Sequence, residues 1–201
     1  MLIIGLTGSI GAGKTATAAM FRDHGVPVHD ADAAVHRLYD VGGAAVEKVA
    51  AAFPGVEVGG RIDRERLSAR VVDDAAALRR LEEIVHPLVR EQEAAFLADA
   101  RARKLRFVVL EIPLLFETGA EKRCDLVVTV SAPPDILRER VLSRAGMTEE
   151  KLAGLLAQQT SDAEKRRRAH FVIETAHGFA AAEKQVDDIM RALAGLPGRP
   201  A

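Results

Sequence analysis

Eight residues near the amino terminus constrain this chain more than any other stretch. Gly8-Ser9-Ile10-Gly11-Ala12-Gly13-Lys14-Thr15 sets two glycines five apart ahead of Lys and Thr, after the apolar run Leu2-Ile3-Ile4-Gly5-Leu6. A short apolar run that ends in glycines reads as a buried parallel strand. Over residues 14–24 Ala18, Met20 and Phe21 face one way, and Gly25 supplies a stop before Val26-Pro27-Val28. The order is strand, glycine loop, helix, strand. In that setting glycines let the backbone curl so that several N–H groups converge on phosphate oxygens, and the helix N-terminus adds its partial positive charge. Gly8, Gly11, Ala12, Gly13 and Ala16 are then expected to cradle a nucleotide. Lys14 neutralises its β- and γ-phosphates, and the Thr15 hydroxyl ligates Mg²⁺. The motif predicts nucleotide binding and leaves kinase, switch and motor open.

Strand-like and helical stretches alternate beyond it. Residues 31–106 are Ala- and Arg-rich and of helical period, broken at Val41-Gly42-Gly43, Phe53-Pro54-Gly55 and His86-Pro87, and read as a helical insertion. Phe107-Val108-Val109-Leu110 and Leu126-Val127-Val128-Thr129-Val130 suit the middle of a parallel sheet. A second helical region over 133–168 ends in Lys165-Arg166-Arg167-Arg168, a run read as meeting polyphosphate or solvent. Phe171-Val172-Ile173, a last helix from about Phe179 to Leu193 and a frayed tail over 197–201 complete the chain. The alternation predicts a parallel α/β sheet with helices on both faces.

Composition narrows the function classes. With 28 Lys+Arg against 29 Asp+Glu in 201 residues, the net charge is −1, which argues against gripping a nucleic-acid backbone. Stacking residues are scarce, with no Trp and one Tyr. A single cysteine, Cys124, fits a reducing compartment and reads as a small buried apolar residue. No apolar stretch approaches the ~18 residues of a membrane span, and no leader pattern opens the chain, so a cytoplasmic protein is expected. His24, His29, His36, His170 and His177 show no metal-site spacing.

Two further features select among nucleotide-binding classes. No Asn-Lys-x-Asp or Thr-Lys-x-Asp follows a strand, which disfavours GTP, and although Glu111 imitates the Mg²⁺-holding acid that a motor or transport ATPase sets at the end of an apolar strand, no partner-binding signature accompanies it. Asp30-Ala31-Asp32 closes the second strand, at the strand ends where a parallel sheet forms its ligand crevice. One carboxylate there is placed to take a proton from an attacking hydroxyl or to orient the metal, and the other to cap the next helix. Asp32 is the stronger candidate for chemistry and Asp30 for capping.

Taken in order, the motifs resemble those of dephospho-coenzyme A kinases over almost the whole chain. They are the phosphate loop with Gly5-Leu6-Thr7 ahead of it, Asp30-Ala31-Asp32, Ile62-Asp63-Arg64 with Leu67, His86-Pro87-Leu88, Ile112-Pro113-Leu114-Leu115-Phe116-Glu117, Arg140 with Arg144, and Gln159. The resemblance implies transfer of the ATP γ-phosphoryl group to the ribose 3′-hydroxyl of dephospho-coenzyme A, with Mg²⁺ accompanying ATP. It implies a P-loop NTPase-type core (1–31, 106–132 and 169–201), a helical substrate-binding insertion (32–105) and a helical lid (133–168). Lys14, Asp32 and Arg140 become the catalytic candidates. Arg140 and Arg144, four apart on one helix face, would clamp nucleotide phosphates, while Thr7, Asp32, Arg64, His86 and Glu117 would serve the acceptor. Small molecules are the expected partners, with neither nucleic acid nor membrane, in a monomer or weak homo-oligomer. The chain departs from the family pattern at Glu111, where Asp is frequent, and at His170 and Thr175, where the pattern often has Asp and Asn. Another small-molecule kinase and a nucleotide-responsive binding module are the competing readings.

Overall fold

The computed structural model describes residues 1–195, and the tail read as frayed lies outside the described residues. In chain order the elements begin β1 (Leu2–Gly8), α1 (Lys14–Asp23), β2 (Val28–Asp30), α2 (Ala31–Tyr39), α3 (Val46–Ala52), β3 (Glu57–Val58), β4 (Arg61–Ile62), α4 (Arg64–Val71) and α5 (Ala75–Ala102). They continue β5 (Phe107–Glu111), β6 (Leu126–Ser131), α6 (Pro134–Leu142), α7 (Glu149–Ala157), α8 (Asp162–Arg168), β7 (Phe171–Glu174) and α9 (Phe179–Ala194). Two compact units result: Met1–His29 with the chain from Ala100 onward, and Asp30–Asp99.

The first unit carries a five-stranded sheet in the order β2-β5-β1-β6-β7. β1 is central, paired along its two edges with β5 and β6, and apolar side chains on both of its faces suit a strand buried on both. It runs parallel to β5, with Leu6 opposite Glu111, and to β6, with Gly8 opposite Val130. Ile4 and Leu6 pack with Phe21, Val128, Ile173 and Val186 in one apolar core. Each such burial stabilises by roughly 1.5–3 kcal/mol. α9 supplies Ala182, Val186, Ile189 and Leu193, whose three- and four-residue spacing makes one apolar stripe. Since β1 lies between strands reached by opposite crossovers, its carboxyl end opens into the ligand crevice of an α/β sheet.

Glycine at position 8 is a packing requirement. A Cβ there would stand 2.5 Å from the Val130 carbonyl oxygen of the neighbouring strand. Gly5 serves Cys124 in the same way: a Cβ would meet its Sγ at 2.8 Å, and the cysteine is half-buried where full burial was expected.

The second unit closes over its own core of Leu38, Val49, Phe53, Ile62, Leu67 and Val85, with Tyr39 buried among them. That burial raises the Tyr39 phenol above its ordinary value, against the opposing pull of the Arg64 charge. Two features depart from the helical reading of this region. β3 and β4 form an antiparallel hairpin, Glu57 opposite Ile62, turned by Gly59 and Gly60 with φ of 60° and 79°. Positive φ at both central residues of a two-residue loop suits the right-handed twist of its strands. His86-Pro87 does not break its helix either: α5 runs through Pro87 for 28 residues. Pro87 and Glu83 both lie on the exposed face, so the Glu83 carbonyl that loses its N–H partner meets water, while Val85 and Leu88 hold the buried face together.

Candidate active site

The phosphate loop is shaped by two left-handed glycines. Gly11 has φ 82° and Gly13 φ 93°, a region closed to most L-residues. Ala12 N–H donates to Ser9 O at 3.0 Å across the bend. Gly13 caps α1 without any side-chain hydrogen bond, so no side chain competes for the first N–H groups of the helix. Lys14 opens that helix and places Nζ 2.6 Å from Glu111 Oε1, at the end of β5. Glu111 is 1% exposed, and its Oε2 is buried without a partner among the described residues. A buried carboxylate is tolerable only when compensated, and Lys14 supplies the charge. Thr15, in the first turn of α1, is exposed. Thr7, fully buried at the end of β1, donates its hydroxyl to Pro113 O at 3.0 Å.

One side of the loop meets the helices of residues 133–168. Ile10 N–H donates to Gln159 Oε1 at 3.3 Å, and Ser9 Oγ to Asp162 Oδ1 at 3.4 Å, while Asp162 Oδ2 accepts from Ser131 Oγ at 2.7 Å. On the other side lies a cavity of about 290 Å³ lined by Gly11, Gly13, Met20, Arg140, Arg144 and Phe179. Arg140 reaches Thr175 through Nη1 to Oγ1 and Nη2 to O, both at 2.8 Å. The shared helix face expected of Arg140 and Arg144 is absent, because α6 ends at Leu142 and Arg144 follows in the turn beyond. The two arginines meet the same cavity all the same.

The basic run is solvent-exposed at Arg166, Arg167 and Arg168, as expected, and departs from a solvated face at Lys165 and in its ion pairs. Lys165 Nζ lies 3.3 Å from Glu117 Oε1, Arg166 pairs with Glu174 at 2.9 Å, Arg167 with Glu164 at 2.5 Å and Arg168 with Glu121 at 2.9 Å. Lys165 is wholly buried, and Arg168 also lies over the Phe116 ring at 4.2 Å. Glu117 accepts in addition from Thr160 N–H at 2.6 Å. Burial raises its carboxyl, but its own backbone N–H, that of Thr160 and the Lys165 ammonium outweigh burial and hold it below the ordinary value. α8 is therefore pinned by charges that lie apart in sequence.

In the second unit Asp30 Oδ1 accepts from Ala33 N–H at 2.9 Å and caps α2. Asp32, in the first turn, is exposed and takes no part in capping. His36, four residues on, shares its helix face and places Nε2 2.8 Å from Arg64 Nη1. Sequence reasoning weighed His36 only as a metal ligand, although its i,i+4 spacing from Asp32 places the two on one helix face. His86 is exposed on α5. His170 accepts Val127 N–H on Nδ1 at 3.0 Å, extending the ladder between β6 and β7.

The dephospho-CoA kinase family model matches residues 2–180. The chain is 57% identical over 198 residues to a dephospho-CoA kinase of Mesorhizobium japonicum, covering 98% of this chain and 100% of that one. It is 55% identical over 193 residues to that of Agrobacterium fabrum, covering 96% and 98%. Among solved structures, a Thermus thermophilus protein superposes with a TM-score of 0.81 at 37% identity over 98% of both chains. The dephospho-CoA kinase of Campylobacter jejuni superposes at 0.72 and 25% identity, over 96% of this chain and 98% of that one. A shikimate kinase of Bacteroides thetaiotaomicron, at 16% identity and 0.52, shares the fold.

Proposed function

The chain belongs to the dephospho-CoA kinase family, an enzyme of the last step of coenzyme A biosynthesis that acts on an alcohol group, and from this premise we propose how its residues divide the reaction. The ribose 3′-hydroxyl of dephospho-coenzyme A attacks the γ-phosphorus of ATP, the bond to the β,γ-bridging oxygen breaks, and ADP leaves. Asp32 either takes the hydroxyl proton as a base or orients the metal while the proton leaves to solvent. The observation that carries the reading is Lys14, held 2.6 Å from a buried carboxylate at the start of the helix behind the glycine loop. An ammonium positioned in advance opposes the charge that builds on the leaving oxygen without reorganising when it forms.

Gly8, Gly11, Ala12, Gly13, Thr15 and Ala16 bind the nucleotide, and Arg140 and Arg144 approach it from the cavity they line. Mg²⁺ fits the residues present. The buried Oε2 of Glu111 lacks a partner among the described residues and the Thr15 hydroxyl is exposed, both hard oxygen donors of the kind this cation takes beside phosphate and water. When bound, it supplies neutralisation of the β- and γ-phosphates. Thr7, Arg64, His86 and Glu117 serve the acceptor. Residues 32–105 bind dephospho-coenzyme A, and 133–168 act as a lid that keeps water from the γ-phosphate. The near-neutral charge supports an enzyme of small molecules and the single cysteine a cytoplasmic one, which we read as a monomer or weak homo-oligomer.

The test is ADP release from Mg·ATP with and without dephospho-coenzyme A, with the product's mass checked for one added phosphate. Acceptor-dependent release is expected, with Lys14→Ala lowering kcat by about 10²–10³-fold or more. Full activity in Lys14→Ala would refute the assignment, and a nucleoside monophosphate consumed faster than dephospho-coenzyme A would point to a different small-molecule kinase.

A further inference from the structure

We propose that Thr175 is a positioning residue of this kinase, holding the Arg140 guanidinium against the phosphate loop in the orientation that meets nucleotide. The proposal rests on the reading of Arg140 as a nucleotide-binding residue. Thr175 follows β7 directly, and its N–H donates to Ser131 O at 2.9 Å, which fixes its backbone to the end of β6. Its side chain is buried. The hydroxyl stands 2.8 Å from Ala12 O, within the phosphate loop, and 3.3 Å from Ser131 O. A hydroxyl has one proton to give. With it committed to the nearer carbonyl, a lone pair faces Arg140 Nη1 at 2.8 Å, while the Thr175 carbonyl takes Nη2 at the same distance. Two bonds to one residue set the plane of the guanidinium, and a weaker contact from Nη1 to Gly11 O at 3.4 Å ties it to the loop as well.

The charge of Arg140 is the second half of the argument. Arg166, Arg167 and Arg168 each pair with a carboxylate. Arg140 is half-buried, and its hydrogen-bond partners among the described residues are all neutral oxygens. Neutral acceptors orient a guanidinium and leave its charge uncancelled, and a positive charge kept so beside a phosphate loop is matched to an anion. Thr175 thus supplies the orientation that a carboxylate would supply only by cancelling the charge.

The experiment is steady-state kinetics with ATP and dephospho-coenzyme A on Thr175→Val, Thr175→Ser, Arg140→Ala and the double variant Arg140→Ala with Thr175→Val, with thermal midpoints alongside. Losing a hydrogen bond to a charged group predicts a fall of about 10- to 100-fold in kcat/KM for ATP in Thr175→Val. Thr175→Ser retains the hydroxyl and stays within about threefold. On the Arg140→Ala background Thr175→Val costs less than about twofold more, because its effect runs through the guanidinium. A purely structural role would instead lower the midpoint and multiply the loss equally in both backgrounds, which overturns the proposal. So does a Thr175→Val enzyme within threefold of the parent while Arg140→Ala is impaired, and in that case the reading of Arg140 stands. Parental kinetics in Arg140→Ala refute that reading and the proposal together. Should Thr175→Val fail to fold, Thr175→Ala set against Thr175→Ser carries the same comparison.

Discussion

Replacing Glu117 by Gln tests whether the helices of residues 133–168 are held by a buried charge. The Lys165 side chain is 0% exposed and that of Glu117 15%, with 3.3 Å between Nζ and Oε1. At an effective dielectric of about 20, unit charges at that distance attract by about 5 kcal/mol. Removing one partner of a buried pair costs about 3–5 kcal/mol, because the survivor is left uncompensated. Glutamine keeps an oxygen for the Thr160 N–H and removes only the charge. Since Glu117 retains some contact with water, the lower end applies: a loss of about 3 kcal/mol, or about 6–12 °C in Tm for a chain of this size. Urea unfolding followed by far-ultraviolet circular dichroism measures it. Adding Lys165→Met should recover most of the loss, as the stranded charge is then gone. A Glu117→Gln loss below about 1 kcal/mol, or a double variant no better than the single one, would refute the reasoning.

The same pair sets an acid limb. The folded Glu117 carboxyl lies below the ordinary 4.5, so its contribution is fully present above that value and is lost as the pH falls through the lower, folded one; a Tm profile against pH should therefore be flatter below 4.5 in Glu117→Gln. Gly8→Ala drives a Cβ to within 2.5 Å of a backbone oxygen, and a loss of about 1–3 kcal/mol is expected; an unchanged melting curve would show that β1 and β6 can part there. Pro87→Ala restores an N–H inside α5 and should stabilise by about 1–3 kcal/mol, a gain that urea titration resolves and whose absence would mean the helix has already absorbed the proline.

What could be read in advance depended on how local the signal was. The phosphate loop was legible because Gly8, Gly11, Gly13 and Lys14 act through neighbours a few residues away, and Leu2 to Leu6 needed no partner to announce a buried strand. Glu111 was legible as an acid closing an apolar run, but its bond to Lys14 spans 97 residues. The burial of Lys165 and the ion pairs of the basic run went unread for that reason, while Arg166, Arg167 and Arg168 are exposed as a charge run predicts. The partners of Lys165 and Arg168 stand 48 and 47 positions away, and nothing in a run of like charges tells which acids the fold will bring to it. Pro87 was misread in the opposite way: a strong local rule yielded to the burial of Val85 and Leu88 on the far face. Gly59-Gly60 was a hairpin signal overlooked inside a helical region. Arg144 missed its expected face because α6 stops two residues short of it.

Tyr39 has a use of another kind. It is the one tyrosine of a chain without tryptophan, and it lies in the core of the Asp30–Asp99 unit. Ultraviolet emission from this protein is therefore a single-site signal, reporting on the unit that carries Asp32 and Arg64 and silent about the phosphate loop. Far-ultraviolet dichroism averages over both units. Recording the two during one denaturation separates the fates of the units in the native sequence without attaching a dye, and nucleotide added to the cuvette would reveal which of them it steadies.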